Sequence, residues 1–171
     1  MTDLPRVEVV ILNWHRPHHT LACLRSLSRL GYEAHHAIVV DNGSSDGSAE
    51  QIRRGFPNAT VIENGRNLGF AGGSNVGIAR AMATGADYVL LLNDDTEVDP
   101  KWLAGMGAAF EDSAVRGVSG LVLPAAMDTE AELLFEFCYG GMGKGTISNE
   151  WDPAVLSASQ RIGAHHVGVG A

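Results

Sequence analysis

The chain of 171 residues is long enough to bury a sizeable core as one domain, and its 45% hydrophobic and 19% charged residues exclude a disordered class. A formal net charge of −8 argues against a nucleic-acid partner, because phosphate chains bind clustered Lys and Arg. Two cysteines without a CxxC spacing indicate neither a disulfide framework nor a zinc site, and no segment is long enough to span a membrane.

Strands and helices alternate along the first part of the chain. In chain order, the sequence predicts a strand at residues 7–13, a helix at 17–30, a strand at 37–41, a short helix ending near 55, a strand at 60–63, a loop at 64–73, a helix at 74–84 and a strand at 87–92. Pro17 suits the first turn of the first helix, and Ser45 or Asp46 can cap the second. This alternation predicts an α/β fold with a mostly parallel sheet and helices on both faces.

The pattern changes in the last third of the chain. A helix beginning at Pro100 and a strand at residues 115–123 continue the alternation. Beyond this strand the chain is richer in Gly and acidic residues, and no linker divides it. We therefore predict one domain over residues 1–171, in which residues 1–124 form the core and residues 125–171 begin a second region.

The strand at residues 87–92 ends in three polar residues, Asn93, Asp94 and Asp95. Its apolar run predicts a central strand covered on both faces, and open α/β sheets bind ligands at the carboxyl ends of such strands. Adjacent carboxylates at this place are typical of a site for a divalent cation. The alternative is that these residues only form a turn, since Asn and Asp favour turns.

Asp41 ends the second strand just as Asp95 follows the fourth, so a parallel sheet brings both carboxylates to the same edge. A carboxylate there can accept a hydrogen bond from the N3 hydrogen of uracil or thymine, a donor that cytosine lacks. The alternative is that Asp41 only initiates an Asx turn before Gly43.

A glycine-rich segment at residues 67–77 leads into the third helix. Its small residues and free backbone N–H groups, beside the positive end of a helix dipole, can approach a nucleotide closely. No Lys follows its glycines, as a phosphate loop requires, and the segment does not follow the first strand, as a dinucleotide fingerprint does. The alternative is a helix start with close packing.

The histidines and tryptophans are weaker candidates for functional residues. Histidine pairs occur at residues 18–19, 35–36 and 165–166. His18 and His19 lie in a predicted first helical turn, where adjacent residues do not face one site. His165 or His166 could approach a metal if the last segment folds back over the sheet, but solvent or core positions are favoured. The three tryptophans are expected to anchor packing, although Trp14 borders the predicted cleft.

Four segments together closely resemble glycosyltransferase family 2. They are Val-Ile-Leu-Asn-Trp at residues 10–14, Asp-Asn-Gly-Ser-Ser-Asp-Gly at 41–47, Asn-Leu-Gly-Phe-Ala-Gly-Gly-Ser-Asn at 67–75 and Leu-Asn-Asp-Asp-Thr at 92–96. The resemblance is strong over residues 7–125, and its Asn-x-Asp-Thr variant is most similar to the bacterial rhamnosyltransferase-like branch. It implies the GT-A (Rossmann-like) fold, a nucleotide-sugar donor, a divalent cation and inversion at the anomeric carbon.

The resemblance also implies a set of donor-binding residues. They are Leu12, Asn13, Trp14, Asp41, Asn67, Gly69, Phe70, Ala71, Asn75, Asn93, Asp94 and Asp95. Asp41 would bind the pyrimidine base, and Asn93 and Asp95 would occupy the ends of the family's Asp-x-Asp motif. Because the neutral amide of Asn93 lacks the charge for strong metal binding, Asp95 is the predicted ligand of Mg²⁺ or Mn²⁺, and Asp94 is expected beside it or facing the ribose.

The activity that the resemblance implies is a metal-dependent, inverting transfer in bacterial polysaccharide biosynthesis. A sugar, with rhamnose as one option, would move from a UDP- or dTDP-sugar to a glycan, a lipid-linked acceptor or a small molecule. We expect a cytoplasmic protein, with peripheral attachment at the inner face of the membrane left open.

The catalytic base is expected beyond Ala171. Family members supply it from an acidic motif past a strand that resembles residues 166–171, where this chain stops. We therefore expect these residues to be the donor-binding part of a longer enzyme. Two alternatives are a nucleotide-sugar binding module without turnover and a nucleotidyltransferase, the latter weakened because no glycine-rich, Arg- or Lys-bearing loop follows the first strand.

Overall fold

The structure is a computed structural model, and residues 4–112 and 114–120 are described. The chain divides into two compact units, residues 1–101 and residues 102–171. The predicted second region, residues 125–171, lies outside the described residues, so its boundary stays a prediction.

A parallel sheet forms the centre of the first unit. Its strands are β1 (Val7–Asn13), β2 (His35–Asp41), β3 (Thr60–Glu63) and β4 (Tyr88–Asn93). The spatial order is β3-β2-β1-β4 and all three pairings are parallel, so every strand ends at the same edge. The strands β1 and β3 have the predicted bounds, β2 begins two residues earlier and β4 is shifted by one residue.

Three helices connect these strands. They are α1 (Pro17–Leu27), α2 (Ser48–Gly55) and α3 (Gly69–Ala83). The helix α1 begins where predicted but ends at Leu27, and the N–H groups of Arg29 and Leu30 then donate to carbonyls three residues earlier in a tightened final turn. The prediction that Ser45 or Asp46 caps α2 is wrong, because the N-cap residue is Gly47. Asp46 lies one residue before it, and its carboxylate accepts the N–H of Ser48 at 3.0 Å.

Strand order and handedness place the helices on opposite faces of the sheet. The connections through α1 and α2 move the chain outward in one direction, from β1 to β2 to β3. The connection through α3 crosses back in the other direction to β4. Because such crossovers are right-handed, α1 and α2 lie on one face and α3 on the other. The strand order reverses between β1 and β4, which is where α/β sheets of this kind bind ligands.

The sheet is buried on both faces at its centre. Towards α3, the buried side chains of Val10, Ile38 and Val40 pack with Ala81 of the helix. Side chains alternate along a strand, so the fully buried Ile11 and its neighbours point to the opposite face. These residues confirm an α/β fold with a parallel sheet covered by helices on both faces.

The helix α3 begins at Gly69, five residues before the predicted start, so the prediction of a loop up to residue 73 is wrong. The reason lies in packing against the sheet. A Cβ atom at Gly73 would lie 2.4 Å from Cδ1 of Leu12, and one at Gly77 would lie 2.3 Å from Cγ1 of Val10. Glycine has a low helix propensity, but here it allows the helix to approach the strands closely.

Substitution of Gly77 tests this packing. We expect Gly77→Ala to lower the free energy of unfolding by about 1–3 kcal/mol, because the added methyl overlaps Val10 in a filled core. A matched control is Gly105→Ala, which adds the same methyl to a helix where nothing lies within 4 Å. Urea unfolding should show that variant unchanged or more stable by about 0.5–1 kcal/mol, and equal losses in both variants would contradict the packing argument.

Among the described strands, β4 lies at the edge of the sheet and is not the predicted central strand covered on both faces. Within residues 4–120 it pairs with β1 alone. Its side chains alternate in burial, with Val89 36% and Leu91 47% exposed. A continuous apolar run does not reveal whether each face is covered, since that depends on neighbouring elements.

The second unit contains one helix in its described part, α4 (Trp102–Ala108), followed by a single 3-10 turn at Ala109–Glu111. The helix predicted from Pro100 is present and begins two residues later. The strand predicted at residues 115–123 is wrong for residues 115–120, which have no regular secondary structure. The two glycines in that run weaken a strand.

Candidate functional site

The candidate site lies at the carboxyl edge of the sheet, where three neighbouring strands end in polar residues. Asn13 at the end of β1 is opposite Asp41 of β2, and Leu12 is opposite Asn93 of β4. The ends of β2 and β4 therefore flank β1 and lie about 10 Å apart, two strand spacings.

Asp41 is 2% exposed, and both of its carboxylate oxygens accept hydrogen bonds. Oδ1 accepts the N–H of Gly43 at 3.1 Å and of Ser44 at 2.8 Å, which is the Asx turn that the sequence left as an alternative. Oδ2 accepts Nδ2 of Asn13 at 2.8 Å, and Thr20 of α1 donates its hydroxyl to the Asn13 amide oxygen at 2.9 Å. The carboxylate is thus held in one orientation by β1, α1 and its own turn.

Asn42 joins this turn to the chain that precedes α3. Its side-chain oxygen accepts the amide of Asn64 at 3.1 Å and the N–H of Leu68 at 3.0 Å. Its side-chain nitrogen donates to Asn67 at 3.0 Å. Gly43 is required beside it, because its φ is +83° and a Cβ would lie 2.5 Å from the carbonyl carbon of residue 66.

The residues of the glycine-rich segment that are predicted to bind the donor lie at the start of α3. The side chain of Asn67 accepts the N–H of Gly69 at 2.7 Å and so fixes the first helical residue. Phe70 and Ala71 follow in the first turn, where the Phe70 side chain is exposed, and Asn75 is exposed in the second turn. These residues face the same edge of the sheet as Asp41, because a helix that follows a parallel strand begins at the carboxyl edge.

The chain leaves β1 through an exposed and conformationally unusual segment. The indole of Trp14 is 52% exposed, and it contacts the ring of His15 edge to face at 5.4 Å. His15 has a φ of +56°, a left-handed conformation that few residues other than glycine adopt. Its N–H donates to the Ser44 hydroxyl at 2.9 Å, which holds this turn against the Asp41 turn. Leu12, in contrast, packs under α3 in the core.

Two carboxylates and one guanidinium face each other after β4. The side chain of Asp95 is 49% exposed, and its Oδ2 lies 3.6 Å from Nη1 of Arg16. Asp94 is half-buried; burial and then the charge of Asp95 raise the pKa of its carboxyl, against the opposing charges of Arg16 and His19. Arg16 therefore partly neutralises an acidic pair that the fold holds close together.

The buried thiol of Cys23 lies directly beneath this acidic pair. Burial, with the charges of Asp94, Asp95 and Glu97, raises the pKa of Cys23 to about 12. The thiol donates a hydrogen bond to the Asn93 carbonyl at 3.7 Å. A neutral thiol is therefore a packing and supporting group here, not a nucleophile.

The acidic pair could supply carboxylate oxygens to a divalent cation. Carboxylate oxygens are the hard ligands that these ions prefer, and Asp95 is open to solvent. Among the described residues no three His, Cys, Asp or Glu side chains cluster in a way that could hold a metal by themselves. Such a pair fits an ion that takes its remaining ligands from substrate phosphates and water.

Several residues of this edge were not among the predicted site residues. Thr20, Asn42 and Ser44 orient the predicted groups by hydrogen bonds, and Arg16 lies against Asp95. The sequence could have indicated Arg16, since it is the basic residue directly after a strand that ends beside two carboxylates. The hydrogen bonds of Thr20 could not have been predicted from the sequence.

The family comparison agrees with this geometry. The model of glycosyl transferase family 2 matches residues 8–136, which include every residue predicted to bind the donor. The chain belongs to glycosyltransferase family 2. This membership confirms the predicted family. As a separate finding, the described residues contain no helix that is long and apolar enough to cross a membrane.

Curated relatives include two mycobacterial members of the family. Galactofuranosyltransferase GlfT1 of Mycobacterium tuberculosis is 36% identical over 119 residues, 68% of this chain and 39% of the relative. The N-acetylglucosaminyl-diphospho-decaprenol L-rhamnosyltransferase of the same species is 31% identical over 124 residues, 68% of this chain and 38% of the relative. The chain thus spans about two fifths of the length of these relatives.

Solved structures with a similar fold align with most of the chain. S. aureus TarS 1-349 in complex with UDP-GlcNAc gives a TM-score of 0.56 at 21% identity, over 71% of this chain and 38% of that chain. The mannosyltransferase PcManGT from Pyrobaculum calidifontis, in complex with GDP-Man and Mn2+, gives 0.57 at 20% identity, over 72% and 37%. At this identity the likeness concerns the fold, and it confirms the predicted GT-A architecture.

Proposed function

We propose that this chain is the donor-binding part of a glycosyltransferase that uses a UDP- or dTDP-sugar and a divalent cation. One observation carries the proposal: the hydrogen-bonded Asn13–Asp41 pair and the Asp94–Asp95 pair flank the point where the strand order reverses. A nucleotide sugar needs both a base-recognising group and a group that offsets its diphosphate charge. This edge offers one on each side of β1.

Asp41 would recognise the pyrimidine base through Oδ2. A carboxylate has about four lone-pair directions; two on Oδ1 are used by the turn, and one on Oδ2 by Asn13. The remaining position on Oδ2 can accept the N3 hydrogen of uracil or thymine. Asn13 and Thr20 hold that oxygen in place before the ligand binds, which reduces the entropy lost on binding.

Asp95 would hold the cation with the donor diphosphate, and Asp94 would support it from its half-buried position. When bound, the cation neutralises charge that develops on the leaving diphosphate. Arg16, at 3.6 Å from Asp95, can turn to donate to phosphate oxygens once that carboxylate binds the cation. The N–H groups of the first turn of α3 add a positive dipole end at the same edge.

The acceptor and the stereochemical course are further parts of the proposal. We propose inversion at the anomeric carbon and a glycan or lipid-linked acceptor, in a reaction of bacterial polysaccharide synthesis near the inner face of the membrane. The name of the decaprenol-specific rhamnosyltransferase relative supports the lipid-linked class.

Calorimetric titration with UDP and dTDP, each with and without Mn²⁺, tests the proposal. We expect binding of at least one nucleotide to tighten in Mn²⁺ and CDP to bind more weakly, because cytosine lacks the N3 hydrogen. Absence of binding to all three nucleotides would overturn the proposal. Mass spectrometry of a panel of donor sugars then separates an enzyme from a binding module: donor hydrolysis or transfer supports the enzyme, and binding alone supports the module.

A further inference from the structure

A polar cavity lies at the amino edge of the sheet, opposite the candidate donor site. It has a volume of about 240 Å³, and we call it the amino-edge pocket. Its polar lining consists of Arg6, Glu8, His36, Thr60, Arg80 and Thr84. Glu8 and Asn13 are five residues apart on β1, so the pocket lies about 16 Å from the carboxyl edge. None of these residues belongs to the donor site.

The floor of the amino-edge pocket is the buried carboxylate of Glu8, whose side chain is 1% exposed. It accepts Nη2 of Arg6 at 2.9 Å, the hydroxyl of Thr84 at 3.2 Å and Nδ1 of His36 at 2.7 Å. Burial acts to raise the pKa of Glu8, but the hydrogen bond and charge of His36, with the bonds from Arg6 and Thr84, outweigh it and lower that pKa. The carboxylate is therefore ionised, and both of its oxygens accept hydrogen bonds from these partners.

Positive charge exceeds negative charge in this pocket. Two arginines oppose the single carboxylate of Glu8. The two ring nitrogens of His36 face acceptors, the Glu8 carboxylate and the carbonyl of Asn58 at 3.1 Å. A local excess of positive charge stands out in a chain whose formal net charge is −8.

Arg80 supplies the group that is free to bind a ligand. It is exposed on α3, and within the described part of the chain its guanidinium has no hydrogen-bond or ion-pair partner. Arg6 differs, because its two terminal nitrogens donate to Glu8 and to the Thr84 carbonyl. The fork of a guanidinium matches phosphate oxygens, and the hydroxyl of Thr60 lies in the same lining.

We propose that the amino-edge pocket binds a small anion of the phosphate class, separately from the donor. The volume is below that of pockets for drug-sized ligands, about 300–1,000 Å³, and suits inorganic phosphate or a small phosphate monoester. Arg80 would bind the anion from α3, and the hydroxyl of Thr60 would contact it from β3. Because α3 also begins at the donor edge, the bound anion would brace this helix against the sheet.

Titration of the ¹⁵N-labelled chain with inorganic phosphate, at ionic strength held constant with NaCl, tests this proposal. We expect saturable shifts of the backbone amide signals of Thr60, Arg80 and Thr84. Arg80→Gln should weaken binding by about tenfold, the loss of one charge-assisted hydrogen bond. Arg80→Lys should weaken it less, because it keeps the charge and loses only the fork.

The control is Arg54→Gln, which removes an exposed arginine of α2 that pairs with Glu50. Phosphate affinity should not change in this variant, and an equal loss would indicate unspecific charge attraction and overturn the proposal. Shifts confined to residues 69–71 and 94–95 would do the same, since they would place the anion in the donor cleft. Phosphate binding should persist in the presence of UDP and Mn²⁺. If the donor nucleotides do not bind, the phosphate titration still tests the amino-edge pocket on its own.

Discussion

Replacing Asp95 by alanine should remove most of the dependence of UDP binding on Mn²⁺. In the wild-type chain this carboxylate is the solvent-open member of the acidic pair and lies 3.6 Å from Arg16. Without it, the half-buried Asp94 alone faces the cation. We expect the dissociation constant for UDP in Mn²⁺ to rise at least about tenfold, or 1.4 kcal/mol, while the value without metal changes little. Calorimetry at matched ionic strength measures both.

Two further variants make this result specific to Asp95. Glu97→Ala removes a carboxylate two residues away that is exposed and pairs with Arg29, and it should leave the Mn²⁺ effect intact. Asp94→Asn keeps the shape of its side chain and should have a smaller effect than Asp95→Ala. If the Mn²⁺-dependent affinity of Asp95→Ala equals that of the wild type, Asp95 is not the metal ligand. A dominant loss in Asp94→Asn would instead assign that role to Asp94.

We expect substitution of Asp41 to change both the stability of the fold and the affinity for UDP. Two different substitutions separate these effects. Asp41→Ala leaves the N–H groups of Gly43 and Ser44 without their acceptor and weakens the tie to Asn13. At about 1–3 kcal/mol for each donor that is left unpaired, we expect it to lower the free energy of unfolding by about 3 kcal/mol. Urea unfolding measures this loss.

Asp41→Asn preserves the turn but changes the atom that would contact the base. Its amide oxygen can still accept the two backbone N–H groups, whereas its NH₂ group replaces the oxygen that we assign to the N3 hydrogen. We therefore expect a folded protein whose UDP affinity falls about tenfold with or without Mn²⁺. Asp46→Asn, in the turn before α2, is the matched control and should not alter UDP binding. Unchanged UDP affinity in Asp41→Asn would restrict Asp41 to its structural turn.

Much of the fold follows from patterns that are local in the sequence. Apolar runs with defined bounds predict β1 and β3 correctly, and polar residues at strand ends indicate the ligand-binding edge before any pairing is known. One error arises where local preference opposes packing: a helix rich in glycine begins at Gly69 because the sheet accepts a backbone there. The other error is local, since two glycines within residues 115–120 weaken the predicted strand over that range.

The sequence by itself determined that strands and helices alternate, that Asp41 and Asp95 follow strands, and that the chain resembles its family. Only the tertiary structure decided the strand order, which puts the reversal between β1 and β4. It also decided that three donors occupy the Asp41 carboxylate and that Arg16 lies against Asp95. Hydrophobic period and turn preference are short-range properties of the chain, whereas the neighbours of a strand and the partners of a carboxylate depend on packing between distant segments.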